Sequence, residues 1–442
     1  MNTESLYDLL SVLQTDRVSI LSSSGPIVVG ALRSAAKKVF AYYNFSKSAR
    51  IALCGLSPVD LITALIAFDG VVDAMLLLPA SLDEALTKSL IEQAGCTCRI
   101  DNLYGEPFID GVNEVQGDFK QHSTTWILAT SGTTGIPKLI EHSHETLYRM
   151  IKRNMELGLN FVWGMVYDPC RFAGLQVLFQ ALLSGSRLCI PSSGNVNEQI
   201  DFFIKNQVNA LSATPSYWRK LLMCDRICEL PLRQITLGGE IADQFILNAL
   251  KYYFPSARII HIYASTEAGS VFSVHDGYAG FPANWLDNSL APAMLRISDY
   301  GHLLIKFEAH SGSKDNLYGL DTDGYLDTQD LVRVEGERVY FLGRVSGAIN
   351  VGGNKVNPEE VENHIRNVCG VLDVRVFGRN SSMLGQIVVA EVMAASGFDV
   401  QELRLAIKQY CRSRMETWQN PAFISFVEEM TETVTGKRER LS

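Results

Sequence analysis

Over the first 260 residues, short apolar and β-branched runs alternate with stretches of helical period. Residues 51–53 precede a helical stretch at 58–68, residues 75–78 precede one at 81–94, and residues 187–190 precede one at 197–206. Such alternation predicts an α/β architecture with largely parallel sheets. From about His302 the pattern turns strand-rich, in HLLIKF, GYLDT and RVYFLG. Beyond residue 344 it predicts a compact mixture: a helix near 358–367, strands around 374–377 and 386–392, and a helix at 400–412. No fixed-period repeat and no low-complexity linker interrupts the chain. A domain boundary is therefore expected at residues 344–346.

Composition narrows the class. The chain has 442 residues, 47% hydrophobic and 20% charged, enough apolar content to bury a large core and to exclude disorder. Its net charge of −9 argues against a nucleic-acid coat or a basic membrane-binding surface. From Arg344 to the end there are 12 basic and 12 acidic residues, so the whole acidic excess lies before the expected boundary. Nine scattered cysteines, with no paired C-x-x-C, read as thiols in a reducing compartment and not as a disulfide or zinc framework. The acidic start MNTESLYDLLSVLQTD lacks the plan of a signal peptide. The most apolar stretch, LITALIAFDGVVDAMLLLPA, is broken by Asp69 and Asp73 and does not read as a membrane span. The expectation is a soluble cytoplasmic protein.

The strongest chemical signal follows the apolar run TTWILA. It is Thr130-Ser131-Gly132-Thr133-Thr134-Gly135-Ile136-Pro137-Lys138. Two glycines permit tight turns and close approach to a ligand; the hydroxyls and backbone N–H groups can cradle phosphate oxygens, and Lys138 supplies compensating charge. A helix is expected from Ser143, with His142 and His144 at its start. A Walker A loop is excluded, because two residues separate the glycines and Ile136-Pro137 intervenes before the lysine. As a bare pattern the string is also compatible with a Ser/Thr/Gly surface loop.

TSGTTGIPK resembles the phosphate-binding signature of the adenylate-forming (AMP-binding) superfamily: acyl- and aryl-CoA synthetases, adenylation domains of nonribosomal peptide synthetases, and luciferases. The resemblance runs in order from about residue 124 to Lys437. It implies a large N-terminal lobe (1–343) of parallel and mixed sheets flanked by helices with a small β-barrel-like region, a hinge at 344–346, and a small mobile α+β C-terminal lobe (347–442).

The other motifs carry roles implied by the resemblance. Tyr263-Ala264-Ser265-Thr266-Glu267 is similar to a Tyr-Gly-x-Thr-Glu motif, whose tyrosine packs on adenine, whose threonine meets the α-phosphate and whose glutamate holds Mg2+. An aromatic plane, a short donor and a hard oxygen ligand suit those tasks. Ala264 stands where the family has glycine. If the backbone there needed a positive φ, alanine would cost about 1 kcal/mol. Gly238-Gly239-Glu240 resembles the loop bordering adenine and the acyl pocket, and Pro215 belongs to the segment opening the helix beside that pocket. Asp330 matches the aspartate that takes both ribose hydroxyls, since a carboxylate accepts from a vicinal diol; Gln329 replaces the preceding glycine. Arg344 matches an arginine reaching ribose or phosphate, and the spacing from Asp330 fits a short antiparallel ribbon.

In the C-terminal part, Ser346 is the hinge position. Gly352, Gly353 and Lys355 resemble the turn lying along the pantetheine arm, although Gly352-Gly353 alone also reads as a hairpin turn. Lys437, in Thr-Gly-Lys-Arg-Glu-Arg, corresponds to the lysine contacting the carboxylate and α-phosphate during adenylation. The implied chemistry is ATP-dependent and Mg2+-dependent. A small carboxylic acid forms an acyl-adenylate with release of pyrophosphate, then passes to a phosphopantetheine thiol of CoA or of an acyl or peptidyl carrier protein, as in secondary metabolism. No nucleic acid is implied.

Acyl selection is the open part. Aligned on Gly174-Leu175, Arg171 falls where ligases of the family have a histidine gating the acyl tunnel, and it could pair with a second carboxylate. Aligned on Tyr167-Asp168, the segment resembles amino-acid adenylation domains, whose aspartate binds the substrate amine. Asp168, Arg171, Phe172, Gly174 and Pro215 are thus the candidate acyl-pocket residues. Two alternatives stay open: an amino-acid-adenylating enzyme loading a carrier protein, and a catalytically degenerate nucleotide- or acyl-binding module. Ala264, Gln329, Ser346 and Asn350 favour the latter; Lys437, Glu267, Asp330 and Arg344 oppose it.

Overall fold

The structure is a computed structural model, and it describes residues 4–104, 108–109, 123–130, 137–286, 289–290, 293–307, 320–381 and 384–430. Ser131, Gly132, Thr133, Thr134 and Gly135 of the glycine-rich loop, and Lys437, lie outside the described residues.

Local chemistry places the helices where the pattern predicts them. Ser57 accepts from the Asp60 amide and Pro58 occupies the first turn, so the helix Pro58–Phe68 starts sharply. The 81–94 stretch begins later than expected, as Glu84–Gln93, because Asp83 takes the capping position by accepting from Leu86 N. Ser143 and Thr146 form a reciprocal capping box that opens His144–Tyr148, leaving His142 as the last residue of the strand Lys138–His142.

Among the described residues these elements form four sheets. The first has eight strands, in the spatial order Gly269–Val274, Arg258–Ser265, Gln234–Gly238, Ala210–Ala213, Val162–Gly164, Arg187–Ile190, Val18–Ser22 and Gly25–Val28. Its six central strands are parallel and each edge is antiparallel. The second sheet repeats this plan: the parallel strands Cys98–Ile100, Arg50–Cys54, Ala74–Leu78 and Thr125–Thr130 lie between antiparallel edges. A third, antiparallel sheet carries Leu326–Glu335 paired with Arg338–Arg344. The fourth is assembled from Ile349–Val351, Asn354–Val356, Val371–Ser381, Gly385–Ala394 and Phe423–Phe426. It packs against the helices Pro358–Arg366 and Val400–Arg414 around its own core, which includes Val361, Ile365, Val374, Val392 and Ile407.

The apolar stretch around residues 61–80 resolves into the helix Pro58–Phe68 and the strand Ala74–Leu78, and no described helix is long and apolar enough to cross a membrane. Asp69, which interrupts it, is buried for a reason. Its carboxylate accepts from Leu6 N at 2.8 Å and meets His144 Nε2 at 2.8 Å, tying the N-terminal helix to the segment after the glycine-rich loop.

Candidate active site

The carboxyl ends of the parallel strands in the first sheet open onto a cavity of about 1110 Å³. Open α/β sheets bind ligands at that edge. Tyr263, near the end of Arg258–Ser265, stacks on Phe272 with ring centroids 5.2 Å apart and on Phe341 at 4.9 Å. Its hydroxyl donates to Asp330 Oδ2. Asp330 and Arg344 are direct cross-strand partners in the third sheet, and Arg344 Nε donates to Asp330 Oδ1 at 2.8 Å. Three residues from separate motifs thus meet around one carboxylate, which is 9% exposed. Each of its oxygens keeps a second lone pair, so the group can still accept from two ligand hydroxyls.

Electrostatics follow the geometry. Burial, then the Asp330 carboxylate, push the Tyr263 phenol well above its ordinary range, so it acts as a fixed donor. Burial works against the Arg344 charge, but Asp330 outweighs it and the guanidinium titrates above its ordinary value.

The strand ends at Ser265, whose hydroxyl accepts from Ala268 N at 2.9 Å and closes the turn presenting Thr266 and Glu267 to the cavity. Glu267 is exposed. No cluster of three or more His, Cys, Asp or Glu able to hold a metal occurs among the described residues. A single carboxylate such as Glu267 nevertheless fits Mg2+, which keeps several waters and binds through one or two carboxylates plus substrate phosphates. Ala264 has no positive φ; a register shift between Tyr263 and Ala264 accommodates it within the strand. The positive φ lies at the other glycine replacement, Gln329, at 58°.

Gly238 ends its strand, Gly239 turns with φ 82°, and Glu240 Oε2 accepts from Ser216 N at 2.9 Å. That contact satisfies the start of the helix Pro215–Leu222, so Glu240 has a structural task beside the cavity. Thr130 ends the strand leading into the glycine-rich loop, and its Oγ1 donates to Lys138 O at 3.3 Å across the loop's base, where Lys138 is exposed.

Two expected acyl-pocket residues do not line the cavity. Pro215 is buried at the first helical position while its neighbours Thr214 and Ser216 face the cavity. Gly174 lies in the contact between the helix Phe172–Leu183 and the 168–169 loop, where a Cβ would sit 2.1 Å from Asp168 O. Its smallness serves packing. Asp168, Arg171 and Phe172 do line the cavity. Asp168 Oδ1 accepts from Cys170 N at 2.8 Å, and Arg171 Nη1 donates to Ala129 O at 2.7 Å, which bolts the helix start to the strand leading into the glycine-rich loop.

Ser346 is exposed in the one-turn helix Val345–Gly347. Gly352 and Gly353 form a hairpin turn with φ 58° and 92°, and neither they nor Lys355 line the cavity in this arrangement. The wall on that side comes instead from the helix Pro358–Arg366, through Glu359, Glu362, Asn363 and Arg366.

Sequence reasoning missed that wall and a buried charge cluster behind it. Arg366 meets Asp243 at 3.2 Å, Glu362 at 3.2 Å and Asp373 at 3.6 Å; Arg219 meets Asp243 and lies 3.9 Å from Asp373. These side chains are 4–10% exposed. Only the Glu362–Arg366 spacing on one helix hints at the cluster in the sequence. His142 stands out in the sequence only for its place after the loop. It is buried beside Phe172, its Nε2 has no hydrogen-bond partner among the described residues, and burial lowers its pKa to about 4, against the opposing pull of Glu267.

Comparison with known proteins fixes the family. The AMP-binding enzyme model matches residues 110–291, and the AMP-binding enzyme C-terminal domain model matches 360–437, together more than half of the chain. The chain belongs to the AMP-binding enzyme family. This AMP-binding enzyme is 25% identical over 324 residues to a 2-succinylbenzoate--CoA ligase of Listeria monocytogenes serotype 4b (strain F2365), covering 71% of the chain and 68% of that relative. It is 25% identical over 352 residues to a medium/long-chain-fatty-acid--[acyl-carrier-protein] ligase of Mycobacterium tuberculosis (strain CDC 1551 / Oshkosh), covering 72% and 65%. The solved anthranilate CoA ligase AuaEII in complex with anthranoyl-AMP superposes with a TM-score of 0.78 at 15% identity, over 99% of this chain and 96% of that one, a likeness of fold.

Proposed function

We propose that this adenylate-forming ligase activates a carboxylic acid with ATP and passes the acyl group to a phosphopantetheine thiol, using the residues that converge on the cavity. The observation that carries the assignment is the meeting of Tyr263, Asp330 and Arg344 at the end of a cavity that also receives Thr266, Glu267 and Gly238–Gly239. That set offers an aromatic plane for a base, a carboxylate for a ribose diol and donors for a phosphate.

In the first half-reaction a carboxylate oxygen attacks the α-phosphorus and the bond to pyrophosphate breaks. In the second, a thiolate attacks the acyl carbon and the bond to AMP breaks. No side chain serves as a covalent nucleophile. Asp330 and Arg344 fix the ribose end, while Thr266, Thr130 and the Ser131–Gly135 loop hold phosphate oxygens and Lys138 adds charge, so catalysis is by positioning and charge stabilisation. Glu267 is the proposed Mg2+ ligand, and the ion would supply charge neutralisation on the phosphates. Residues 344–346 are the proposed hinge between residues 1–343 and 347–442. Lys437 would serve adenylation, and the Gly352–Gly353 turn with Lys355 the thioester step after the small lobe rotates. CoA and a carrier protein both fit as acceptor. Nine free thiols suit a reducing, cytoplasmic setting.

Acid-dependent exchange of labelled pyrophosphate into ATP tests the reading. It should appear with wild type and fall by orders of magnitude in Asp330→Ala. Lys437→Ala should lose adenylation yet still convert a supplied acyl-adenylate to thioester. Absence of exchange across a broad panel of acids would leave a binding module; equal loss of both half-reactions would refute the role given to Lys437.

A further inference from the structure

The cavity does not end at the nucleotide site. The strands Gln234–Gly238 and Arg258–Ser265 are parallel neighbours, with Gln234 opposite Arg258 and Gly238 opposite Ile262. Gln234, Thr236 and Gly238 line the cavity, as do Arg258, Ile260, Ile262 and Ala264, which alternate along one face of each strand. One continuous space therefore runs along the sheet from the carboxyl ends of these strands to their amino ends. At about 3.3 Å per residue, Arg258 and Ser265 are separated by roughly 23 Å. Its apolar wall includes Val177, Ile260 and Ile262, with the hydroxyl-bearing Thr236 and Ser212 level with Ile260 and Trp163 level with Arg258 at the amino end.

The far end differs in charge from the near end. Arg233 and Arg258 line it on adjacent strand starts, held together by Arg258 N donating to Arg233 O at 2.9 Å. The Arg233 guanidinium lies 5.5 Å above the Phe161 ring, which fixes its place at the mouth. The carboxylates of the cavity wall belong to the near end; none lines the mouth among the described residues. In a chain of net charge −9, two exposed guanidinium groups at the end of a channel of this length are a feature to be explained.

We propose that Arg233 and Arg258 form a terminal anion site. The substrate class is then an acid with an extended apolar body and a second carboxylate at its far end. This rests on the adenylation reading above and names the substrate of that site. An arginine side chain reaches on the order of 6 Å, leaving a span of about 17 Å between the two carboxylates. At about 1.25 Å of advance per carbon–carbon bond, that is roughly 12–14 bonds. Planar guanidinium groups match a carboxylate bidentately, and an exposed pair of this kind is sensitive to salt.

The test is pyrophosphate exchange on wild type with paired series of monocarboxylic and α,ω-dicarboxylic acids of increasing length. The expected result is no preference for short dicarboxylates and about a fivefold or greater lowering of KM for those near the spanning length, shrinking at high salt. Arg233→Gln/Arg258→Gln should abolish that preference while leaving kcat and KM for the matching monocarboxylate unchanged, and Arg233→Lys/Arg258→Lys should retain part of it. An ω-carboxylate without advantage at any length, or a double variant that weakens both series equally, would overturn the anion site while leaving adenylation standing. Exchange with neither series would remove both readings.

Discussion

Arg366→Met removes one cation from a buried cluster that joins the two proposed lobes. Arg366 belongs to the helix Pro358–Arg366, in the proposed small lobe, and Asp243 to the large one; their side chains lie 3.2 Å apart, each 8% exposed. At an effective dielectric constant of about 20, charges at that distance attract by roughly 5 kcal/mol. Desolvation offsets much of this in the intact pair, but removing one partner leaves a buried charge uncompensated, which costs about 3–5 kcal/mol. In Arg366→Met, Arg219 still meets Asp243 and lies 3.9 Å from Asp373, but the contacts of Arg366 with Asp243, Glu362 and Asp373 are lost. If the cluster holds the lobes in this arrangement, the docked state should weaken by at least about 10²-fold, since each 1.4 kcal/mol is tenfold. Asp243→Asn is the companion variant. Its side chain still caps the helix Gln244–Tyr253, where Asp243 Oδ1 accepts from Ile246 N at 3.0 Å, but it gives up the charge. The double variant then reports the coupling across the interface. The assay is built in: among nine cysteines only Cys228 and Cys369 are exposed, one on each proposed lobe, so a donor–acceptor dye pair on them reads lobe separation. Energy transfer unchanged from wild type in a folded Arg366→Met protein would refute the role of the cluster in docking.

Three further outcomes are expected. Gln329 holds φ at 58°, a conformation costing a non-glycine residue about 1–2 kcal/mol, partly recovered against the greater unfolded-state freedom of glycine. Gln329→Gly should therefore raise stability by up to about 1 kcal/mol and Gln329→Val lower it by a similar amount; thermal denaturation decides, and a destabilised glycine variant contradicts the argument. Gly174→Ala would put a Cβ 2.1 Å from Asp168 O. A loss of about 1–3 kcal/mol should appear in the urea midpoint, and an unaffected midpoint would show that the loop yields freely. His142 titrates near 4 because burial disfavours its charge, against 6.5 when unfolded. Its contribution is fully present above pH 6.5 and lost as pH falls toward 4, by up to about 1.4 kcal/mol per pH unit. His142→Phe should flatten the stability profile over that window, and a wild-type slope in the variant would count against it. His261 and His364 are shifted the same way, so part of the slope should remain.

Much of this fold is legible because its signals are local. Period and capping chemistry locate Pro58–Phe68, Pro358–Arg366 and Val400–Arg414 to within a few residues. The motifs that supply Tyr263, Asp330 and Arg344 do meet, since a strand pair of fixed register places Asp330 opposite Arg344. What escapes the sequence depends on partners remote in the chain. The N-terminal strand Val18–Ser22 pairs Ile20 with Leu188, and nothing near either residue announces it. Gly174 resembles a pocket residue in sequence, yet its constraint is the approach of Asp168 O, a tertiary contact. The two glycine replacements show the same limit. Alanine at 264 is absorbed by a strand irregularity, whereas Gln329 is held in the left-handed region by its surroundings, and side-chain type alone does not separate the cases.

A buried charge cluster of this kind would suit the proposed hinge, which requires a surface that parts and re-forms. An apolar interface of the same size would expose a sticky patch whenever the small lobe turned away. Buried ion pairs behave otherwise: their attraction is set against the hydration that each group regains on separation, so docked and undocked states stay close in energy. Specificity of the docked pose then comes from geometry, through Arg219 and Arg366 meeting acids from both sides. Gly343 contributes at the edge of the proposed hinge. A Cβ there would lie 2.4 Å from Glu359 Oε2, on a backbone already at φ 135°. The contact is with the end of the flexible Glu359 side chain, which can turn aside, so the cost of Gly343→Ala lies in its backbone conformation and the variant should keep the wild-type dye-transfer signal that Arg366→Met loses. An effect confined to Arg366→Met would assign docking to charge, whereas a loss shared by both variants would contradict that assignment.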